Sequence, residues 1–244
     1  MSAAELGLAL PIFLACGVEA VEALTIVLAV GTTRGWCWTL AGAAGALLTL
    51  GVVVGALGPA VTSLPLDLLR VLVGAVLLAI GAQWLRKAVL RAAGRKAMHD
   101  ENAIYARTAG AASRERRSDG VDRYAFTTSY MGVLVEGLEV VVVVVSFAAD
   151  GHGLGIAVAA ALAAVLAVAL AGVALRAPLS RVPENTLKLC VGVMLTSFGA
   201  FWLCEGAGLA VSEVLLPAII LAVLACALGA ARGLRLTRAA GSRA

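Results

Sequence analysis

The chain alternates between long apolar runs and short polar breaks. Apolar segments fall at about 6–31, 38–58, 68–86, 125–149, 154–175, 186–204 and 211–231. Most reach the roughly 18–20 residues that carry an α-helix across a bilayer. The spacing predicts seven transmembrane helices, an all-α membrane protein. The six-valine run 140–145 has high β propensity in water. In lipid a helix satisfies its own backbone groups, so length decides for helix. One long polar stretch, about 87–124, reads as a basic loop, helical near its ends. No basic stretch precedes the first run, which therefore reads as a retained span and not a cleaved leader.

Composition agrees with this reading. Hydrophobic residues make up 61% and charged residues 14%, and mean hydropathy is +0.99; soluble domains carry about 25% charge. Cys16, Cys37, Cys190, Cys204 and Cys226 are isolated and read as small apolar residues. The charges then set a direction. With the N-terminus outside, all but one of the 19 basic residues fall on the inner side, including Arg34, Lys188 and the cluster from Arg86 to Arg123. Only Arg70 is left outside. The positive-inside rule thus predicts N-out, C-in in a plasma (inner) membrane. Glu5, Asp67, Asp150, His152, Glu205 and Glu213 mark the outer face.

An internal repeat underlies the seven segments. Leu69, Val73, Gly74, Leu77, Gly81, Ala82, Trp84 and Leu85 recur 118 residues later as Leu187, Val191, Gly192, Leu195, Gly199, Ala200, Trp202 and Leu203. Three helices per half is an odd number, so the halves enter from opposite sides. The expected organisation is a three-helix repeat at 1–90, a basic cytoplasmic loop at 91–124, an inverted repeat at 125–206, and a seventh helix with a basic tail at 207–244. Inverted repeats commonly build transport sites at the bilayer midplane.

The chemistry sits in the first and fourth segments. GVEAVEALTIV holds Glu19 and Glu22, and LVEGLEVVVVVVSF holds Glu136 and Glu139. Residues three apart share a helix face. Each ionised carboxylate inside a span costs roughly 3 kcal/mol or more. Stacking the two segments would bring all four acids together, where they repel unless protons or a cation intervene. Oxygen donors of this kind suit hard cations. A metal site at Glu19, Glu22, Glu136 and Glu139 is therefore expected, with no permanently bound cofactor. Gly17, Gly132, Gly137, Ala20 and Ala23 are expected to let the helices approach.

The remaining polar residues call for less. Thr25, Gln83, Thr127, Thr128, Ser129, Tyr130, Thr196 and Ser197 read as backbone or interhelical hydrogen-bonding groups. Trp36, Trp38, Trp84 and Trp202 read as interfacial anchors. His99, Asp100 and Glu101 read as part of the solvated loop. No phosphate loop, His-rich metal motif or nucleophile motif points to an enzyme, and nothing points to nucleic acid.

Seven helices with Glu-x-x-Glu in the first and fourth resemble the high-affinity iron permease family of the Ftr/EfeU type, the oxidase-dependent iron transporters. That family carries Arg-Glu-x-x-Glu; here the stretches are Val18-Glu19-Ala20-Val21-Glu22 and Val135-Glu136-Gly137-Leu138-Glu139. Valine in place of both arginines makes the quartet more negative and more dependent on protons or a bound cation. The resemblance implies uptake of Fe³⁺ and an extracytoplasmic oxidase or metal-binding partner; the carboxylate donors leave Fe²⁺, Mn²⁺ and Ca²⁺ as other cargoes. A divalent cation/proton exchanger or exporter and a non-transporting membrane scaffold are the alternatives.

Overall fold

The protein was analysed as a computed structural model, which describes residues 3–62, 65–116, 120–148, 154–175, 183–209 and 211–241. Asp150, His152, Arg117, Arg176, Arg181 and Arg243, among the residues assigned above to the two faces, lie outside these. The described residues form eight α-helices and one short 3-10 turn, with no strand: α1 (Ala3–Arg34), α2 (Trp36–Thr62), α3 (Leu66–Ala92), α4 (Glu101–Arg114), α5 (Arg123–Ala148), α6 (Leu154–Leu175), α7 (Glu184–Gly206) and α8 (Leu216–Gly241). Seven of them, all but α4, are long and apolar enough to cross a membrane. The valine run lies inside α5.

The polar stretch is not the loop expected from its composition. α3 runs through to Ala92, and α4 occupies the middle of the stretch. Local chemistry explains α4. The Asp100 carboxylate accepts from the backbone N–H of Asn102 and Ala103, at 2.9 and 3.2 Å, which satisfies two orphan donors of the first turn. The alanine-rich body favours helix. α4 then packs on α1, where Thr32 Oγ1 and Tyr105 Oη meet at 2.8 Å.

The chain divides into two compact units. One comprises residues 1–62 and 100–182, and the other residues 63–99 and 183–244. Each unit draws helices from both sequence halves: α1, α2, α4, α5 and α6 in the first, α3, α7 and α8 in the second.

In the first unit α1 is the central helix, in contact with α2, α4, α5 and α6. Its last residue, Arg34, fastens the chain around it. Arg34 Nε donates to Asp122 Oδ2 at 2.7 Å, and Nη1 donates to the carbonyls of Ala112 and Glu115 at 2.8 and 3.0 Å. The same guanidinium lies 5.3 Å from the Tyr124 ring centroid. Asp122 Oδ1 in turn accepts from the Ala125 N–H at 3.0 Å and caps α5. One cation thus ties the end of α1 to the end of α4 and the start of α5. Next to it the chain turns into α2 through Gly35, whose φ of 104° disfavours any side chain.

In the second unit the repeated glycines face each other across α3 and α7. A Cβ at Gly74 would stand 2.5 Å from the Leu203 nitrogen, and one at Gly192 would stand 3.0 Å from the Leu85 nitrogen. A Cβ at Gly81 would stand 2.5 Å from the Thr196 nitrogen, while one at Gly199 would collide with the Leu78 nitrogen. The contacts exchange under the 118-residue offset, and the paired numbers have a constant sum, so α3 and α7 are antiparallel. Helix backbones in contact need glycine at these points. Trp84 and Trp202 are buried here and not at an interface with lipid: the bare glycine surface draws them into the helix contact. Lys188, expected in a polar connection, sits within α7 with Nζ 5.4 Å from the Trp84 ring centroid. Arg70 lies 3.5 Å from Glu205.

Gly81→Ala is expected to lower stability in detergent by about 1–3 kcal/mol, because the methyl meets backbone that cannot move aside. Gly55→Ala, with nothing within 4 Å of its Cβ, serves as the control and stays within about 0.5 kcal/mol. Arg34→Ala removes the charge-assisted bond to the half-buried Asp122 and the bonds to the Ala112 and Glu115 carbonyls, and is expected to cost about 1.5–3 kcal/mol. Chemical denaturation of the purified proteins checks all three.

Candidate metal centre

The carboxylates lie where α1 crosses α5. Gly132 permits the crossing: a Cβ there would stand 3.0 Å from Ile26 Cδ1 and Cγ2. Gly137 likewise lies under the Leu50 side chain of α2. Gly17, expected to help in the same way, has nothing within 4 Å of its Cβ position; it sits outside the helix contact.

Three of the four predicted acids converge. One carboxylate oxygen from each of Glu19, Glu22 and Glu136 lies within 4.8 Å of the other two. Glu19 is buried, at 3% exposure, while Glu22 and Glu136 are half-buried. Two oxygens on opposite sides of one ion at roughly 2.1–2.5 Å stand about 4–5 Å apart. The three oxygens therefore fit around a single cation, which would draw them only slightly inward. Glu139 is half-buried on the next turn of α5 and stands outside the group. Glu139 shares a face of α5 with Glu136 by its spacing of three, as Glu22 does with Glu19 on α1.

The cluster is electrostatically demanding. At 4.8 Å and an effective dielectric constant near 20, each pair of ionised carboxylates repels by about 3.5 kcal/mol. A cation among the three replaces these repulsions with attractions. Hard oxygen donors in this number suit iron, manganese, calcium or magnesium and leave room for water or further ligands.

The other polar residues divide into two groups. Thr127 Oγ1 donates to the Arg123 carbonyl at 2.7 Å, Thr196 Oγ1 to Gly192 at 2.6 Å and Ser197 Oγ to Val193 at 2.7 Å. Tyr130 Oη meets Thr49 Oγ1 at 3.0 Å. Thr25 and Ser129, at 1% and 0% exposure, depart from the expectation: their hydroxyl oxygens are buried with no hydrogen-bond partner. Glu101, expected in the solvated loop with His99 and Asp100, is buried in the first turn of α4, at 5% exposure. Asp100 caps α4, while His99 exchanges two backbone-to-amide hydrogen bonds with Asn185, each 3.2 Å.

A groove of about 540 Å³ lies beside the cluster and shares Glu136 with it. Thr127 and Thr128 near the start of α5 and Thr108 on α4 line it, with Ile26 and Gly132 at the helix crossing and Glu136 among its walls. Thr108 escaped the sequence reading because α4 was read as loop. The capping pattern Asp100 before an alanine-rich run was the available signal.

Purified protein is expected to bind Mn²⁺ or Fe²⁺, read by isothermal calorimetry. Glu22→Gln and Glu136→Gln are expected to weaken binding on the order of 100-fold, since ligand charge sets affinity over many decades. Glu139→Gln is expected to have a smaller effect, because Glu139 lies outside the converging group.

A protein family described as "ferrous iron uptake permease, iron-lead transporter" matches residues 4–230. No curated protein and no solved structure matches the chain.

Proposed function

Because the chain belongs to the ferrous iron uptake permease, iron-lead transporter family, we propose that it carries iron through the carboxylate cluster on α1 and α5. Family membership and the seven apolar helices together support a multi-pass membrane iron transporter. The observation that carries the finer reading is the convergence of Glu19, Glu22 and Glu136 from facing helices. Acids held this close inside an apolar bundle destabilise it unless they serve a cation. Glu139 completes the set as the carboxylate one turn away, on the side of Glu136 remote from the start of α5, where an ion arriving at the other three would meet it.

The basic residues orient the chain N-out and C-in by the positive-inside rule. In that orientation α4 lies on the cytoplasmic side of the inner membrane. The reciprocal contacts of α3 with α7 support two inverted three-helix repeats, whose rocking would expose the cluster to either side in turn. Both oxidation states of iron suit carboxylate oxygens. The family's description speaks for Fe²⁺, and the Glu-x-x-Glu resemblance speaks for Fe³⁺. A ferric cargo would call for an extracytoplasmic oxidase; a ferrous cargo would not.

Reconstituted vesicles given ascorbate-reduced Fe²⁺ or citrate-held Fe³⁺ test the proposal. Uptake is expected with one of the two, and Glu19→Ala and Glu136→Ala are expected to reduce it to the level of protein-free vesicles. Uptake unchanged in both variants would overturn the site. In cells, deletion is expected to cause iron starvation; metal sensitivity instead would point to an exporter.

A further inference from the structure

We propose that the groove between α4 and α5 is the hydrated exit vestibule of the carboxylate cluster, with Thr108, Thr127 and Thr128 as its cation-facing rim. This inference rests on the permease reading and gives that site its route. The groove belongs wholly to the first unit. Its lining on α5 runs from Thr127 to Glu136, nine steps of the helix or about 13 Å. Glu136 is thus shared between the converging oxygens and the groove. An ion released from the cluster on this side meets the groove first.

Size and chemistry both fit a partly hydrated cation. At ~30 Å³ per water, a volume of about 540 Å³ holds on the order of fifteen to twenty waters. The rim offers three hydroxyls in walls that are otherwise largely apolar, such as Ile26, Met131 and Val135. Thr127 has its proton committed to the Arg123 carbonyl, so its lone pairs are what it can present to a cation. Hydroxyl oxygens replace lost waters without adding charge, so they hold a cation weakly enough to let it go. Arg123, one turn before Thr127, gives the mouth a positive neighbour. Positive charge there lowers the local cation concentration, which suits departure better than capture. α4 then takes part in permeation as one wall of the vestibule.

The test places a thiol on the rim of a variant whose five native cysteines are replaced by serine or alanine. Thr128→Cys, and separately Thr108→Cys, are treated in vesicles with a membrane-impermeant methanethiosulfonate from each side. Labelling is expected from the α4 side only. It is expected to slow at least tenfold in saturating Mn²⁺ when Glu136 is present, and not to slow in the Glu136→Gln background. The finished adduct is expected to cut iron uptake at least tenfold relative to the same unmodified variant. The vestibule is overturned if neither thiol labels while the exposed native Cys37 of the parent protein does. It is equally overturned if the thiols label without protection by Mn²⁺. A parent protein that moves no iron defeats the permease reading by itself, and labelling and its protection by Mn²⁺ still decide the vestibule.

Discussion

Carboxylates inside an apolar bundle govern the architecture of the first unit. Three of them share a space less than 5 Å across, in surroundings that penalise each charge and each repulsion. The helices are held together by contacts placed around the acids: Ile26 over Gly132, Leu50 over Gly137, and Leu24 of α1 over Gly172 of α6. Each is a large aliphatic side chain seated on a bare backbone, which brings helices close enough for short acidic side chains to reach one centre.

The position of that centre along α1 is secured from its far end. Arg34 makes a charge-assisted bond to Asp122 and bonds the carbonyls that close α4. Because Asp122 also caps α5, the register of α5 against α1 is fixed by the same guanidinium that docks α4. The two consequences belong together: the acids on α5 are held opposite those on α1, and the wall of the groove that reaches Glu136 is held beside them. Thr39, Thr49 and Thr127 in this unit turn their hydroxyls to carbonyls of their own helices.

The α3–α7 pair follows a different physical rule. It carries no acid pair at its centre, and its helices meet through glycine, backbone against backbone. The repeat in the sequence predicted that these two helices are equivalent, and their reciprocal contacts are what equivalence produces. Its consequence for the tryptophans ran against expectation. Trp84 and Trp202 occupy matching positions near the ends of their apolar runs, where interfacial anchors also sit, and position along the chain does not distinguish an anchor from a residue packed between helices.

Hydropathy, charge and repeat spacing determined the seven apolar helices and the four acids inside two of them, because lipid imposes length on a helix and a price on every buried charge. The same reading missed α4, whose polar composition resembles a loop and whose helix depends on an aspartate cap and on docking against α1. Tertiary structure alone decided that oxygens of Glu19, Glu22 and Glu136, from two different helices, come within 4.8 Å of one another. Spacing along one helix places residues on a common face, but which oxygens meet depends on the crossing of two helices, set by Gly132 beneath Ile26 and by the bond from Arg34 to Asp122.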